Sequence, residues 1–278
     1  MTAIRAIILG CGSSGGVPRL GGPHGAGDWG RCDPSEPKNR RSRCSLLVEC
    51  GDVAARRAAG MTCVLVDASP DMRMQLLEAR TPRLDAVLFT HDHADQTHGI
   101  DDLRVFAIAQ KARVPVYIDE ETSGHLLKRF SYCFAQKAGS YYPPVLERRT
   151  TPAPGETFLV EGPGGAIPVT PFLQFHGGVN SLGFRFGDIA YSSDVVGLPE
   201  ESFEALRGVR TWIVDALQIK PHLSHAHLDL TLEWIARVRP ERAILTNLHV
   251  TMDYRTLKET LPDGVEPAYD GLIVEGEA

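Results

Sequence analysis

The stretch AVLFTHDHADQTHGIDD, residues 86–102, constrains this chain more than any other. Its opening AVLF is an unbroken apolar run too short for an ordinary helix, so it reads as a short buried strand. The twelve residues that follow, HDHADQTHGIDD, hold three histidines and four carboxylates. That is more titratable chemistry than an ordinary surface turn carries. The alternative is a His-rich helix N-cap on the surface, which is the usual reading of a single histidine but a poor one for HxHxD after a buried strand.

The rest of the chain continues the alternation. Strands are expected at 3–10, 45–50, 62–69, 86–90, 114–119, 211–217 and 242–248, with successive antiparallel strands between 168 and 194. Helices are expected at 70–80, 99–110, 121–137, 229–240 and 254–262. Pro70 sits at an expected first helical position, and Met72, Leu76 and Leu77 are expected to share one face. Strands and helices interleaved through both halves predict an α/β protein with mixed sheets and helices outside. The 278 residues suit a single domain over 1–278 with a sizeable core.

Net charge −6 argues against broad nucleic-acid binding, and no apolar run is long enough to cross a membrane. The opening MTAIRAIILGCGSSGG reads as a first strand entering a Gly loop rather than as a signal peptide. Six scattered cysteines with no CxxC pair suggest buried thiols in a reducing, cytoplasmic setting. Residues 10–44 form an unusually long aperiodic loop, a feature that is commonly functional or mobile. Its GCGSSGG is neither a P-loop nor a dinucleotide fingerprint. It is a candidate source of backbone N–H groups, or simply a turn.

In extended backbone His91 and His93 point the same way, so two imidazoles can meet one cation, and Asp95 follows two positions on. Imidazole with carboxylate suits Zn, Mn or Fe. A second cluster, Pro221-His222-Leu223-Ser224-His225-Ala226-His227, again alternates polar groups. It is either functional or a solvated loop before the next helix. KNRRSR (38–43) offers Arg41 and Arg43 as phosphate-binding candidates, although such runs are usually solvated. Asp101, Asp102 and Arg104 are either supports for the histidines or a plain helix-face ion pair.

The run Thr90-His91-Asp92-His93-Ala94-Asp95-Gln96-Thr97-His98-Gly99 resembles the T-H-x-H-x-D-H-x-x-G motif of the metallo-β-lactamase superfamily, departing from it at Gln96. The resemblance implies an αββα sandwich with metal at the sheet edge. It implies that His176 (in FLQFHGG) completes a first metal site with His91 and His93, and that Asp194 (in IAYSSDV) bridges to a second. The histidines that would normally hold the second metal are Gln96 and Asn247 here. Either the second site survives on Asp95, Asp194 and amide oxygens, or one metal suffices with Asp95 as general base, or His98 or His249 shifts inward.

LGCGSSGGVPRLG, WGRCDPSEPKNRRSRCSLLV and EPAYDGLIV are similar to the PhnP phosphodiesterase branch, with ribonuclease Z more distant. That branch carries a structural zinc on clustered loop cysteines. Only Cys32 lies within the corresponding loop here, so that zinc is not expected.

The resemblance implies a metal-dependent phosphodiesterase for a small cyclic or nucleotide-like phosphate. One or two divalent ions, Zn or Mn (Mg at an oxygen-rich second site), would activate a water for attack. His225 would protonate the leaving oxygen, with His222 and His227 on phosphate oxygens. Other outcomes on the same fold are lactone or thioester hydrolysis, or nucleotide binding with little catalysis. Extended nucleic-acid binding is not expected, and a homodimer is compatible with the sequence.

Overall fold

A computed structural model describes residues 3–51 and 60–278. In chain order the strands are β1 (Ala3–Gly10), β2 (Ser45–Cys50), β3 (Thr62–Val66), β4 (Ala86–Leu88), β5 (Val114–Ile118), β6 (Leu146–Thr150), β7 (Phe158–Val160), β8 (Ile167–His176), β9 (Val179–Phe186), β10 (Ile189–Ser192), β11 (Thr211–Asp215), β12 (Arg242–Thr246), β13 (Val265–Pro267) and β14 (Leu272–Glu277). The helices are α1 (Met72–Glu78), α2 (Ala94–Thr97), α3 (Arg104–Gln110), α4 (Glu120–Arg129), α5 (Ser131–Phe134), α6 (Glu200–Ala205), α7 (Leu228–Val238) and α8 (Tyr254–Thr260).

Two seven-stranded mixed sheets form, in the orders β14-β1-β2-β3-β4-β5-β6 and β13-β12-β11-β10-β9-β8-β7. In the first, β3 through β6 are parallel; in the second, β10 through β13 are. Period-two alternation sorts the side chains into layers. In β1, Ile4, Ala6 and Ile8 join Ile213 and Ile244 of the other sheet in a shared core. Ile7 and Leu9 face the opposite way, with Met72, Leu103 and Leu126 from α1, the turn before α3 and α4. Across the second sheet, Trp212 and Val214 pack with Trp234 of α7 and Leu257 of α8. Three apolar seams between four layers make an αββα sandwich.

Several expectations shift. Asp71 is the N-cap of α1, so Pro70 precedes the helix, and Gln75 rather than Leu77 is buried with Met72 and Leu76. One further helical step turns Leu77 to solvent, 59% exposed. Residues Ile100–Leu103 form a 3₁₀ turn ahead of α3, and Phe130 divides the expected 121–137 helix into α4 and α5. Strands β6, β7, β13 and β14 and helix α6 go beyond the expected set. β6 exposes four of its five residues, so it carries no apolar period to read.

The long loop is pinned rather than loose. Val17 and Arg41 exchange backbone hydrogen bonds at 2.8 and 2.9 Å, and Arg19 and Asp28 do the same at 2.9 Å. Val17, Cys32 and Val250 make a small core beneath it. Asp270 accepts from Cys11 N at 3.1 Å and from Ser42 N at 2.7 Å. All six cysteines are buried. No helix of the described residues is long and apolar enough to cross a membrane.

Trp212 is fully buried and its indole N–H donates to Ser192 Oγ at 2.9 Å. Trp212→Ala is expected to destabilise the fold by about 3–5 kcal/mol. Equilibrium urea denaturation should read this as a lower midpoint with an unchanged slope.

Candidate metal centre

Both sheets deliver polar residues at the ends of strands. Asp67 follows β3 in a left-handed conformation (φ 63°) and is fully buried. Its carboxylate accepts from Thr90 N at 2.9 Å and from Thr90 Oγ1 at 2.9 Å. Thr90 Oγ1 lies 2.9 Å from His91 Nδ1. A hydroxyl that gives its one proton to Asp67 accepts from His91 Nδ1–H, which leaves the Nε2 lone pair bare. That Nε2 is buried with no protein partner. Burial holds the His91 imidazole well down, at about 4, in the neutral form that a metal requires.

His176 ends β8, and its Nδ1 is 2.6 Å from the Ser224 carbonyl. A carbonyl only accepts, so Nδ1 carries the proton and Nε2 is free. His176 Nε2 stands 3.3 Å from His93 Nδ1. The ligand nitrogens of His91, His93 and His176 all lie within 4.8 Å of one another. Bare imidazole nitrogens converging on one point, one of them orphaned by burial, fit a divalent cation and little else.

Asp194 follows β10, also left-handed (φ 53°). Its Oδ1 is 4.0 Å from His176 Nε2 and 4.0 Å from His225 Nε2. His176, Asp194 and His225 form a second ligand-capable group that overlaps the first. Burial opposes charge on Asp194, but the His91, His225 and His176 imidazoles around it hold its carboxyl below the usual range. Asp95 is in neither group. Burial and the nearby Asp194 carboxylate push it up to about 6.

His225 Nδ1 bonds Asp215 Oδ2 at 2.8 Å, and Asp215, the last residue of β11, also accepts from Val195 N at 3.1 Å. Burial pulls His225 down, but Asp215, Asp194 and Asp95 outweigh it and push the imidazole up to about 9. Gln96 donates from Nε2 to Asp194 Oδ2 at 3.0 Å. Asn247, at the end of β12, places Nδ2 3.3 Å from His225 Nδ1.

The other candidates sit elsewhere. His98 is exposed with its ring against Phe130 at 5.6 Å, so it does not turn inward to replace a ligand. His249 turns its Nδ1 to Thr251 Oγ1 at 3.0 Å and joins neither group. His222 lies near the site, with its ring 5.3 Å from that of His225. His227 is the N-cap of α7 and joins neither group. Arg41 is 2% exposed and donates to Met252 O at 2.8 Å and Asn39 Oδ1 at 3.2 Å, so it ties the loop down and presents nothing to a phosphate. Arg43 is held by Asp71 at 2.8 Å. The loop cation felt by His249 is instead Arg19, whose side chain lies across Gly15. Arg104 pairs with Asp101 on the surface, the plain ion pair. In the Gly loop, the N–H groups of Gly12, Ser13 and Gly16 are already engaged by carbonyls.

Sequence reading missed Asp67 and Asp215, although VLVD (64–67) and WIVD (212–215) both end an apolar run in an acid, the signal that marked THDH. It also missed Arg129, whose guanidinium clamps Asp92, between the two histidines, at O (2.5 Å) and Oδ2 (2.7 Å).

His91→Ala or His176→Ala is expected to lose bound metal, and His98→Ala or His249→Ala to keep it, as read by elemental analysis of desalted protein. His225's raised value contributes stability to the metal-free protein that is lost as pH rises through about 9, and because burial pushes Asp215 up to about 6, the ionised pair itself holds between about 6 and about 9. Asp215→Asn should bring the His225 titration down by about 1–3 pH units, measured by histidine NMR on metal-free protein.

Residues 62–247 match the beta-lactamase superfamily domain. Over 271 residues the chain is 30% identical to an octanoyltransferase of Porphyromonas gingivalis (strain ATCC BAA-308 / W83), covering 97% of this chain but only 51% of that protein. The chain thus spans about half the length of this curated relative. A crystal structure of a diphosphatase from the PhnP family is 29% identical with TM-score 0.81, covering 99% of this chain and 97% of the other. Zn(2+)-bound PqqB from Methylobacterium extorquens shares the fold at 20% identity and TM-score 0.68, covering 97% and 99%. With its two mixed sheets, its histidine cluster at the strand ends and the matched domain, the chain belongs to the metallo-β-lactamase superfamily.

Proposed function

We propose that the chain is a metal-dependent phosphodiesterase acting on a small cyclic or nucleotide-like phosphodiester. The observation that carries this is the placement of His225 beside the imidazole triad, its ring 4.6 Å from that of His176 and its Nδ1 fixed by Asp215. His91, His93 and His176, with Asp194 alongside, would hold the ion, and three imidazoles favour Zn or Mn. Such an ion supplies Lewis acidity and a water activated near neutral pH. The protein's own part is proton delivery. His225 keeps Nδ1 on Asp215 and turns Nε2 toward the centre, where an imidazolium can protonate a departing alkoxide. Arg19 and His222 both act on the charge of His249, and such groups suit an anionic substrate. Asp95, whose carboxyl burial and Asp194 push up to about 6, would relay a proton. The likeness to a PhnP-family diphosphatase supports phosphoester chemistry. The scattered, buried cysteines with no CxxC pair support a reducing, cytoplasmic setting.

A second reading, thioester or ester hydrolysis, draws on Leu223, 93% exposed between His222 and Ser224, and on Phe175, 42% exposed before His176. An apolar rim suits an acyl chain, and the related octanoyltransferase handles one.

The test is turnover of bis-p-nitrophenyl phosphate and of 2′,3′- and 1,2-cyclic phosphates with Mn or Zn supplied, against p-nitrophenyl octanoate as the neutral ester. Phosphodiester hydrolysis abolished by chelator, with kcat lowered roughly 10²–10⁴-fold in His225→Ala, is expected. Turnover of the ester alone favours the second reading, and no turnover under any metal sinks both.

A further inference from the structure

We infer that this centre takes one metal ion, because the amides of Gln96 and Asn247 close the second position instead of serving it. The inference rests on the metal-hydrolase reading above.

A second ion beside Asp194 needs ligands of its own. The candidates are Asp95, Asp194 Oδ2, Gln96 and Asn247. Gln96 is 1% exposed and its Nε2 stands 3.0 Å from Asp194 Oδ2. A carboxylate only accepts, so the amide cannot be turned end for end there without setting its oxygen against Oδ2. The oxygen that would bridge to a second cation is therefore already capped by a positive N–H. Gln96 Oε1 points away from it, buried and unpartnered. Asn247 Nδ2 lies 3.3 Å from His225 Nδ1. That nitrogen's proton is given to Asp215, so the Asn247 amide is packed against the His225–Asp215 pair as a neighbour and not as a hydrogen-bond partner.

The ligand inventory agrees. Among the described residues the two ligand-capable groups are His91, His93, His176 and His176, Asp194, His225. They share His176, and their union is five residues. An ion held by the three imidazoles with Asp194 leaves His225 alone for any second ion. Structural and catalytic sites for such metals take at least three protein ligands. Asp95, the one carboxylate still available, belongs to neither group.

The experiment is metal counting on the 278-residue chain. Metal-free protein is saturated with Zn(II), desalted and analysed by inductively coupled plasma mass spectrometry, and Mn(II)-loaded samples are examined by electron paramagnetic resonance. The wild type should retain about one equivalent and show an isolated Mn(II) signal with no coupling between ions. Gln96→His/Asn247→His should retain about two and show a coupled signal. Two equivalents in the wild type, falling to one in Gln96→Ala, would overturn the inference. So would a folded double variant that still holds one, because the amides would not then be what closes the position. If the double variant does not fold, the wild-type count and its Mn(II) signal decide alone. Retention of no metal at all would overturn the metal-hydrolase reading itself, an outcome distinct from a count of two.

Discussion

Everything at this site depends on keeping carboxylates charged or correctly partnered inside the protein. Asp67, Asp194 and Asp215 are all buried at the ends of apolar strands. An unpaired carboxylate there costs several kcal/mol. Each is therefore matched by a specific donor. Asp67 has the Thr90 amide and hydroxyl, Asp194 the Gln96 amide, and Asp215 the His225 imidazole with the Val195 N–H. Each match fixes a neighbour as well. Through Thr90, Asp67 sets which His91 nitrogen is bare; through His225, Asp215 sets which nitrogen faces outward.

The two sheets make this possible by ending together. β4 presents His91 from the first sheet, while β8, β10, β11 and β12 present His176, Asp194, Asp215 and Asn247 from the second. A cross-sheet hydrogen bond from Leu182 N to Thr90 O, 2.9 Å, ties β9 to the histidine loop itself. The shared core of Ile4, Ile8, Ile213 and Ile244 holds the sheets face to face, and close packing there limits how far the two halves of the site can drift apart. Outside, α4 sends Arg129 back to Asp92, so the loop between His91 and His93 is gripped from both sides.

Much of this was legible in sequence because it follows local rules. Apolar runs of strand length, amphipathic helices and HxHxD after AVLF place the α/β class with mixed sheets and the triad's first two members, while the αββα sandwich came from the family resemblance. His176 and Asp194 needed the family resemblance, since a single His after FLQF and a single Asp after YSS carry no spacing signal. What stayed hidden depends on long-range contacts. The character of Arg41 is decided by Met252 and Asn39, far along the chain or around a turn, so a basic run that looked solvated contains a fully buried member. His98, two residues from the buried Gln96, looked like a spare ligand, but about 200° of helical turn carries it to the other face, against Phe130. Sequence separation in a helix is an angle before it is a distance.

The charges around His225 are compatible with the one-ion reading proposed above. Asp95, Asp194 and Asp215 all act on His225 and raise it. Three carboxylates in one buried site call for three positive charges, and a divalent ion with one imidazolium supplies them. A second divalent ion would leave the site with excess positive charge whether or not His225 gave up its proton. It would also place a cation beside the group assigned to proton delivery, which repels the proton that group must hold. Replacing imidazole ligands by the neutral amides Gln96 and Asn247 avoids both consequences. The amides keep Asp194 hydrogen-bonded and fill space beside His225 without bringing charge, so the His225–Asp215 pair can stay protonated next to the ion. On this view the two substitutions convert the second half of a metal site into the support for an acid.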